Sequence, residues 1–151
     1  MKKILLKNAN LVLENKIEKA TVLVCEDKIE KIFSKDSDLS QITYDELIDL
    51  EGKYLGPAFV DVHVHGADGA DAMDIDEEAL RRISKYLTKE GTANFLVTTL
   101  TSTKDELKNV LEIAGKLQNK DIDGANIFGV HMEGPYFAVE YKGAQNEKYI
   151  I

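Results

Sequence analysis

Cysteine is nearly missing from this 151-residue sequence, and the only one, Cys25, has no partner for an intramolecular disulfide. It closes the run Thr21-Val22-Leu23-Val24-Cys25 and reads as a buried strand residue. Long apolar runs are lacking too, so no segment qualifies as a membrane span. The opening Met1-Lys2-Lys3-Ile4-Leu5-Leu6 starts like a secretory signal. Its apolar run stops at Lys7-Asn8, however, and no small-residue cleavage site follows. The expected location is the cytoplasm. Positive charge is in the minority, with 19 Lys and Arg against 27 Asp and Glu and a net charge of −8. No basic stripe forms, which argues against a nucleic-acid partner. Internal repeats, low-complexity tracts, a Gly-Lys-Ser/Thr phosphate loop and a dinucleotide fingerprint are all absent.

What is present divides at Gly56-Pro57. Residues 1–55 read as short strands: Ile4–Leu13, Ala20–Cys25 and Lys28–Phe33, with Glu26-Asp27 as a tight hairpin turn and 36–41 as a loop. Three strands cannot easily bury two faces, so this piece is expected to complete its sheet with chain from elsewhere. Residues 56–151 alternate. A strand over 58–64 is followed by a helix over 76–90, with Ala79, Leu80, Ile83 and Leu87 at helical spacing and Gly91 as its stop. A β-branched strand follows over 94–100. Thr103-Lys104-Asp105-Glu106 then forms a capping box, opening a helix whose buried face is Leu107, Val110, Leu111, Ala114 and Leu117. A strand over 126–131 ends the series. Strand–helix alternation argues for a parallel α/β sheet, in which ligands gather at the carboxyl ends of the strands.

All three histidines fall at those ends. In Asp61-Val62-His63-Val64-His65-Gly66, His63 and His65 lie at i and i+2 and share a strand face. Two such imidazoles can grip one metal ion, and Asp61 on the same face could orient one of them. The plainer reading makes both of them polar strand-end residues. In His131-Met132-Glu133-Gly134-Pro135, Glu133 offers a hard oxygen suited to Zn²⁺ or Fe²⁺ beside imidazoles. Gly134-Pro135 turns the chain directly after it, and His131 shares the face of Glu133 if the strand continues. Here the plainer reading is a solvated glutamate. The threonines over 98–103 read as β-propensity plus helix capping, the acidic run 74–78 as a helix start, and Tyr136 and Phe137 as core packing more than pocket lining.

These residues resemble the amidohydrolase superfamily and, within it, the N-acetylglucosamine-6-phosphate deacetylase family. The superfamily cue is Pro57-Ala58-Phe59-Val60-Asp61-Val62-His63-Val64-His65-Gly66, with Ala58 where the motif has glycine. The specific cue is His131-Met132-Glu133-Gly134-Pro135-Tyr136-Phe137 followed by Lys142-Gly143-Ala144-Gln145-Asn146. The resemblance implies the first units of a (β/α)₈ barrel (residues 56–151) joined to part of a small β-sandwich (residues 1–55). It implies hydrolysis of N-acetylglucosamine 6-phosphate to glucosamine 6-phosphate and acetate, with a divalent metal, Zn²⁺ or Fe²⁺, activating water and polarising the amide carbonyl. Glu133, His63 and His65 match the metal-ligating positions, and Ala144 and Gln145 match a substrate-contacting segment. A homodimer is implied for the full-length protein.

A complete barrel takes roughly 250 residues. The family's catalytic aspartate and remaining metal histidines are therefore expected beyond Ile151, with no catalytic residue in this chain, which by itself is expected to be inactive. Two other functions compete: an amidohydrolase acting on a cyclic amide or nucleobase, and a non-catalytic metal- or sugar-phosphate-binding module.

Overall fold

A computed structural model describes residues 1–151, which form two compact units, Met1–Pro57 and Ala58–Ile151.

The first unit is a five-stranded mixed sheet. Strands β1 (Lys3–Val12), β2 (Ile17–Cys25) and β3 (Lys28–Ser34) form an antiparallel meander, with the turn at Glu26-Asp27 where the sequence places it. Two short strands that the sequence reading misses, β4 (Glu46–Asp49) and β5 (Tyr54–Leu55), pair parallel to β1 on its other side. Part of the completion expected from elsewhere is thus local. A bulge between Leu6 and Ala9, with Asn8 at φ +58°, interrupts the alternation of β1. Leu5, Leu23 and Phe33 pack beneath Leu39 and Ile42, while Leu11, Ala20 and Val22 pack with Leu6, Val24 and Leu55. Cys25 is half-buried and not buried as expected, because it ends its strand beside the turn.

The second unit alternates as expected. Strand β6 (Phe59–Val64) leads into a tight hairpin of β7 (Gly66–Ala67) and β8 (Ala70–Asp71), then a 3-10 turn over Ala72–Asp74. Helix α1 (Glu77–Lys89) follows, capped by Asp76, whose side chain accepts from the Glu78 amide. Strand β9 (Thr92–Thr98), helix α2 (Lys104–Leu117) and strand β10 (Asn126–His131) complete it. The sheet order is β10-β9-β6, all parallel. Leu80, Ile83 and Leu87 of α1 and Val110, Ala114 and Leu117 of α2 bury against Phe95, Val97 and Ile127 of the sheet. Phe95 and Ile127 are fully buried in this core.

Leu111 departs from the expected helix face. It is exposed and lines an open cleft with Met132 and Tyr136. Tyr136 is likewise exposed and not packed in the core, and Phe137 is only half-buried. No helix is long and apolar enough to cross a membrane.

Candidate metal centre

The carboxyl ends of β6 and β10 bring His63, His65 and Glu133 together across the 70 residues that separate His63 from Glu133. His63 Nε2 lies 3.2 Å from His65 Nε2 and 3.0 Å from Glu133 Oε2. His65 Nε2 lies 3.1 Å from the same carboxylate oxygen. The three ligand atoms thus form a nearly equilateral triangle. Adjacent ligand atoms on a first-row divalent ion with bonds of about 2.0–2.2 Å are separated by roughly 3.0–3.6 Å, depending on coordination number. The observed spacing lies within that range, so the donor set and its geometry fit such an ion.

The protonation pattern favours the same fit. His65 Nδ1 is 3.2 Å from the Thr98 carbonyl oxygen, an acceptor only, so Nδ1 carries the proton and donates it. In the neutral imidazole, Nε2 then presents a lone pair to the Glu133 carboxylate. Two acceptors this close repel unless a proton or a cation lies between them. The hydrogen bond to Thr98 also fixes the ring plane, as the outer partners of metal-ligating histidines do.

The local sequence explains how the three side chains are held. The Val64 N–H donates to Thr98 Oγ1 at 3.0 Å, tying the end of β6 to β9 between the two histidines. The Ala72 N–H donates to the His65 carbonyl at 2.7 Å. Gly66 allows the β7–β8 hairpin to form directly after the ligand, since a β-carbon there would lie 2.2 Å from the Ala70 carbonyl oxygen. On the other side, Gly134 has φ +88°, and a β-carbon would lie 2.0 Å from Thr101 Oγ1. Only glycine lets the chain turn away beneath Glu133 here.

Two expectations are corrected, for Asp61 and for the threonines. Asp61 does not orient an imidazole. Its carboxylate accepts from the His63 backbone N–H at 3.0 Å, because a strand-end Asp can reach back to the amide two residues on. His131 is not among the clustered ligand atoms. Its ring instead lies edge-on to His63, with centroids 4.7 Å apart and planes at 90°. The threonines do more than favour a strand and cap a helix. Thr98, Thr99 and Thr101 are buried at the carboxyl end of β9, and Thr98 supports both halves of the His-x-His segment. The signal that could have found Thr98 is positional, since it ends the strand lying between the two that lead into the clustered side chains.

Gln145 is buried, and its Oε1 accepts from the Thr101 backbone N–H at 2.7 Å. This fastens the 142–146 segment to the end of β9. Ala144 beside it is exposed.

No family model matches the chain. It is similar to the curated N-acetylglucosamine-6-phosphate deacetylase of Lysinibacillus sphaericus, 32% identical over 126 residues that cover 80% of this chain and 33% of the relative. It is also similar to the N-acetylgalactosamine-6-phosphate deacetylase of Escherichia coli O157:H7, 33% identical over 94 residues covering 62% of this chain and 25% of the relative. Among solved structures, the N-acetylglucosamine-6-phosphate deacetylase of Pasteurella multocida superposes with a TM-score of 0.85 at 27% identity, over 99% of this chain and 38% of that one. The chain therefore spans about a third of the length of the relatives it matches.

Proposed function

We propose that this chain is the metal-bearing portion of an N-acetylglucosamine-6-phosphate deacetylase, which hydrolyses the N-acetyl group to give glucosamine 6-phosphate and acetate. The observation that carries this reading is the convergence of His63, His65 and Glu133 at the carboxyl ends of β6 and β10, on either side of β9, in a chain similar to proteins of that name. In this reading the three side chains hold one divalent cation, Zn²⁺ or Fe²⁺, both of which accept mixed imidazole and carboxylate ligands. When bound, such a cation supplies Lewis acidity towards an amide carbonyl and lowers the pKa of water.

The chain's own residues then do three things. Thr98 keeps the His65 lone pair on Nε2 and aimed at the site. Asp61 and Gly134 fix the backbone around His63 and Glu133. Gln145, held by the Thr101 amide, keeps the 142–146 segment at the strand ends, where Ala144 and Gln145 contact the amino-sugar phosphate. The groups that move protons during hydrolysis come from outside these 151 residues. The second unit is the opening of a (β/α)₈ barrel and the first unit a part of a β-sandwich, in a cytoplasmic homodimer.

The similarity to an N-acetylgalactosamine-6-phosphate deacetylase supports a second reading, in which the substrate is the C4 epimer. The test is acetate release by the longer protein that carries this chain, assayed on both amino-sugar phosphates and on a cyclic amide. The first reading expects turnover of N-acetylglucosamine 6-phosphate and its loss in Glu133→Gln. Preference for the galacto epimer moves the assignment to the second reading, preference for the cyclic amide rejects both, and full activity in Glu133→Gln rejects the ligand role.

A further inference from the structure

We infer that His131 is a positioning residue for the cation site, its ring serving as the wall that keeps His63 in a ligating orientation. The inference rests on the cation reading above.

The three ligands are supported unequally. The His65 ring is anchored at Nδ1 by the Thr98 carbonyl. Glu133 is followed by a glycine fitted against the Thr101 hydroxyl. His63 is anchored only through its backbone, by Asp61. Its side chain is 49% exposed, and its ring makes hydrogen-bond-range contacts only through the ligand atom Nε2. What confines that ring is ring packing: His131 edge-on at 4.7 Å and 90°, and His65 further off at 5.1 Å and 75°. Edge-to-face aromatic pairs at this separation are attractive as well as space-filling.

His131 belongs to β10, the strand that delivers Glu133 two residues later. It therefore ties the orientation of His63 to the strand carrying the third ligand. Its Nδ1 is buried and has no hydrogen-bond partner. That nitrogen provides no polar anchor, so the ring's contribution to His63 is its shape and its aromatic face. Phenylalanine at this position keeps both and removes the unpaired buried nitrogen.

The experiment is competitive Zn²⁺ titration of the chelator-stripped 151-residue chain, with the ligand-field absorption of added Co²⁺ as a second readout. His131→Ala and His131→Leu are expected to bind Zn²⁺ about 3–10-fold more weakly than the unaltered chain, the equivalent of one lost aromatic pair. Both are expected to show a shifted Co²⁺ spectrum. His131→Phe is expected to recover affinity to within about twofold and to restore the spectrum. Unaltered affinity in Leu, or in Ala, overturns the inference. Binding as weak in Phe as in Leu also overturns it, since the nitrogen would then be the part that matters. If Ala does not fold, judged by far-UV circular dichroism, the Leu and Phe pair decides. Absence of cation binding by the unaltered chain rejects the cation reading itself, whereas unaltered binding in the variants rejects only the role of His131.

Discussion

Thr98 sits where three demands meet. Its side chain is fully buried, its hydroxyl accepts from the Val64 amide, and its carbonyl accepts from the His65 ring. Replacing it with valine preserves shape and backbone but leaves the Val64 N–H without its acceptor. Losing this part-buried hydrogen bond costs about 0.5–1.5 kcal/mol, so Thr98→Val should lower the urea midpoint accordingly. An unchanged midpoint would mean that the amide finds another partner. At Gly134 the consequence falls on the site. Alanine there meets both a positive φ and the Thr101 hydroxyl, so Gly134→Ala should displace Glu133 and weaken Zn²⁺ uptake, measured by calorimetric titration. Equal uptake would show that the turn does not set the ligand. At this scale the sequence singled out candidate residues better than their supports. His63, His65 and Glu133 stood out through the family resemblance and their strand-end positions, and the structure brings their side chains together. The roles of Asp61, Thr98 and His131 depend on which atom of one strand faces which atom of the next, and spacing within a strand carries no such information.

The helices were the most legible elements. Their apolar residues recur at the helical period, and both N-termini carry acceptors that take up otherwise unpaired amides. In α2, Thr103 and Glu106 form a reciprocal box, with Ser102 adding a further hydrogen bond to the Glu106 carboxylate. Thr103→Ala should cost about 0.5–2 kcal/mol in chemical denaturation.

The same box has a pH signature. Hydrogen bonds from Ser102 and then from Thr103 hold the Glu106 carboxyl below the ordinary glutamate range. The unfolded chain therefore binds the proton more readily than the native one. The stabilisation is complete above the unfolded value and fades as pH falls through the lower folded value. Glu106→Gln should flatten this acid limb of the stability–pH curve, and an identical limb in the variant would contradict the capping role. The elements that the sequence hid are the shortest. Strands β4 and β5 have four and two residues, too few for alternation to register, and their pairing is dictated by β1. Leu111 has helical spacing yet faces an open cleft, because periodicity marks a face of the helix without saying how far the neighbouring layer extends.

For the second unit as a whole, burial is one-sided. Both helices and the apolar interior of the sheet form a continuous core, but β6 is an edge strand on which Phe59, Val60 and Val62 are exposed. The strand alternation predicted this parallel α/β sheet. Exposed apolar edge strands favour association between chains. Sedimentation velocity of the 151-residue chain should show self-association that rises with concentration and falls in Val62→Lys; a monomer at all concentrations would mean that this edge is not adhesive.

If His63, His65 and Glu133 hold one divalent cation, anomalous diffraction from zinc-soaked crystals of the chain should show it. A single strong peak is expected, bonded to His63 Nε2, His65 Nε2 and a Glu133 carboxylate oxygen, and absent in Glu133→Gln. No peak among these three side chains, or one that persists unchanged in the variant, would contradict the cation reading.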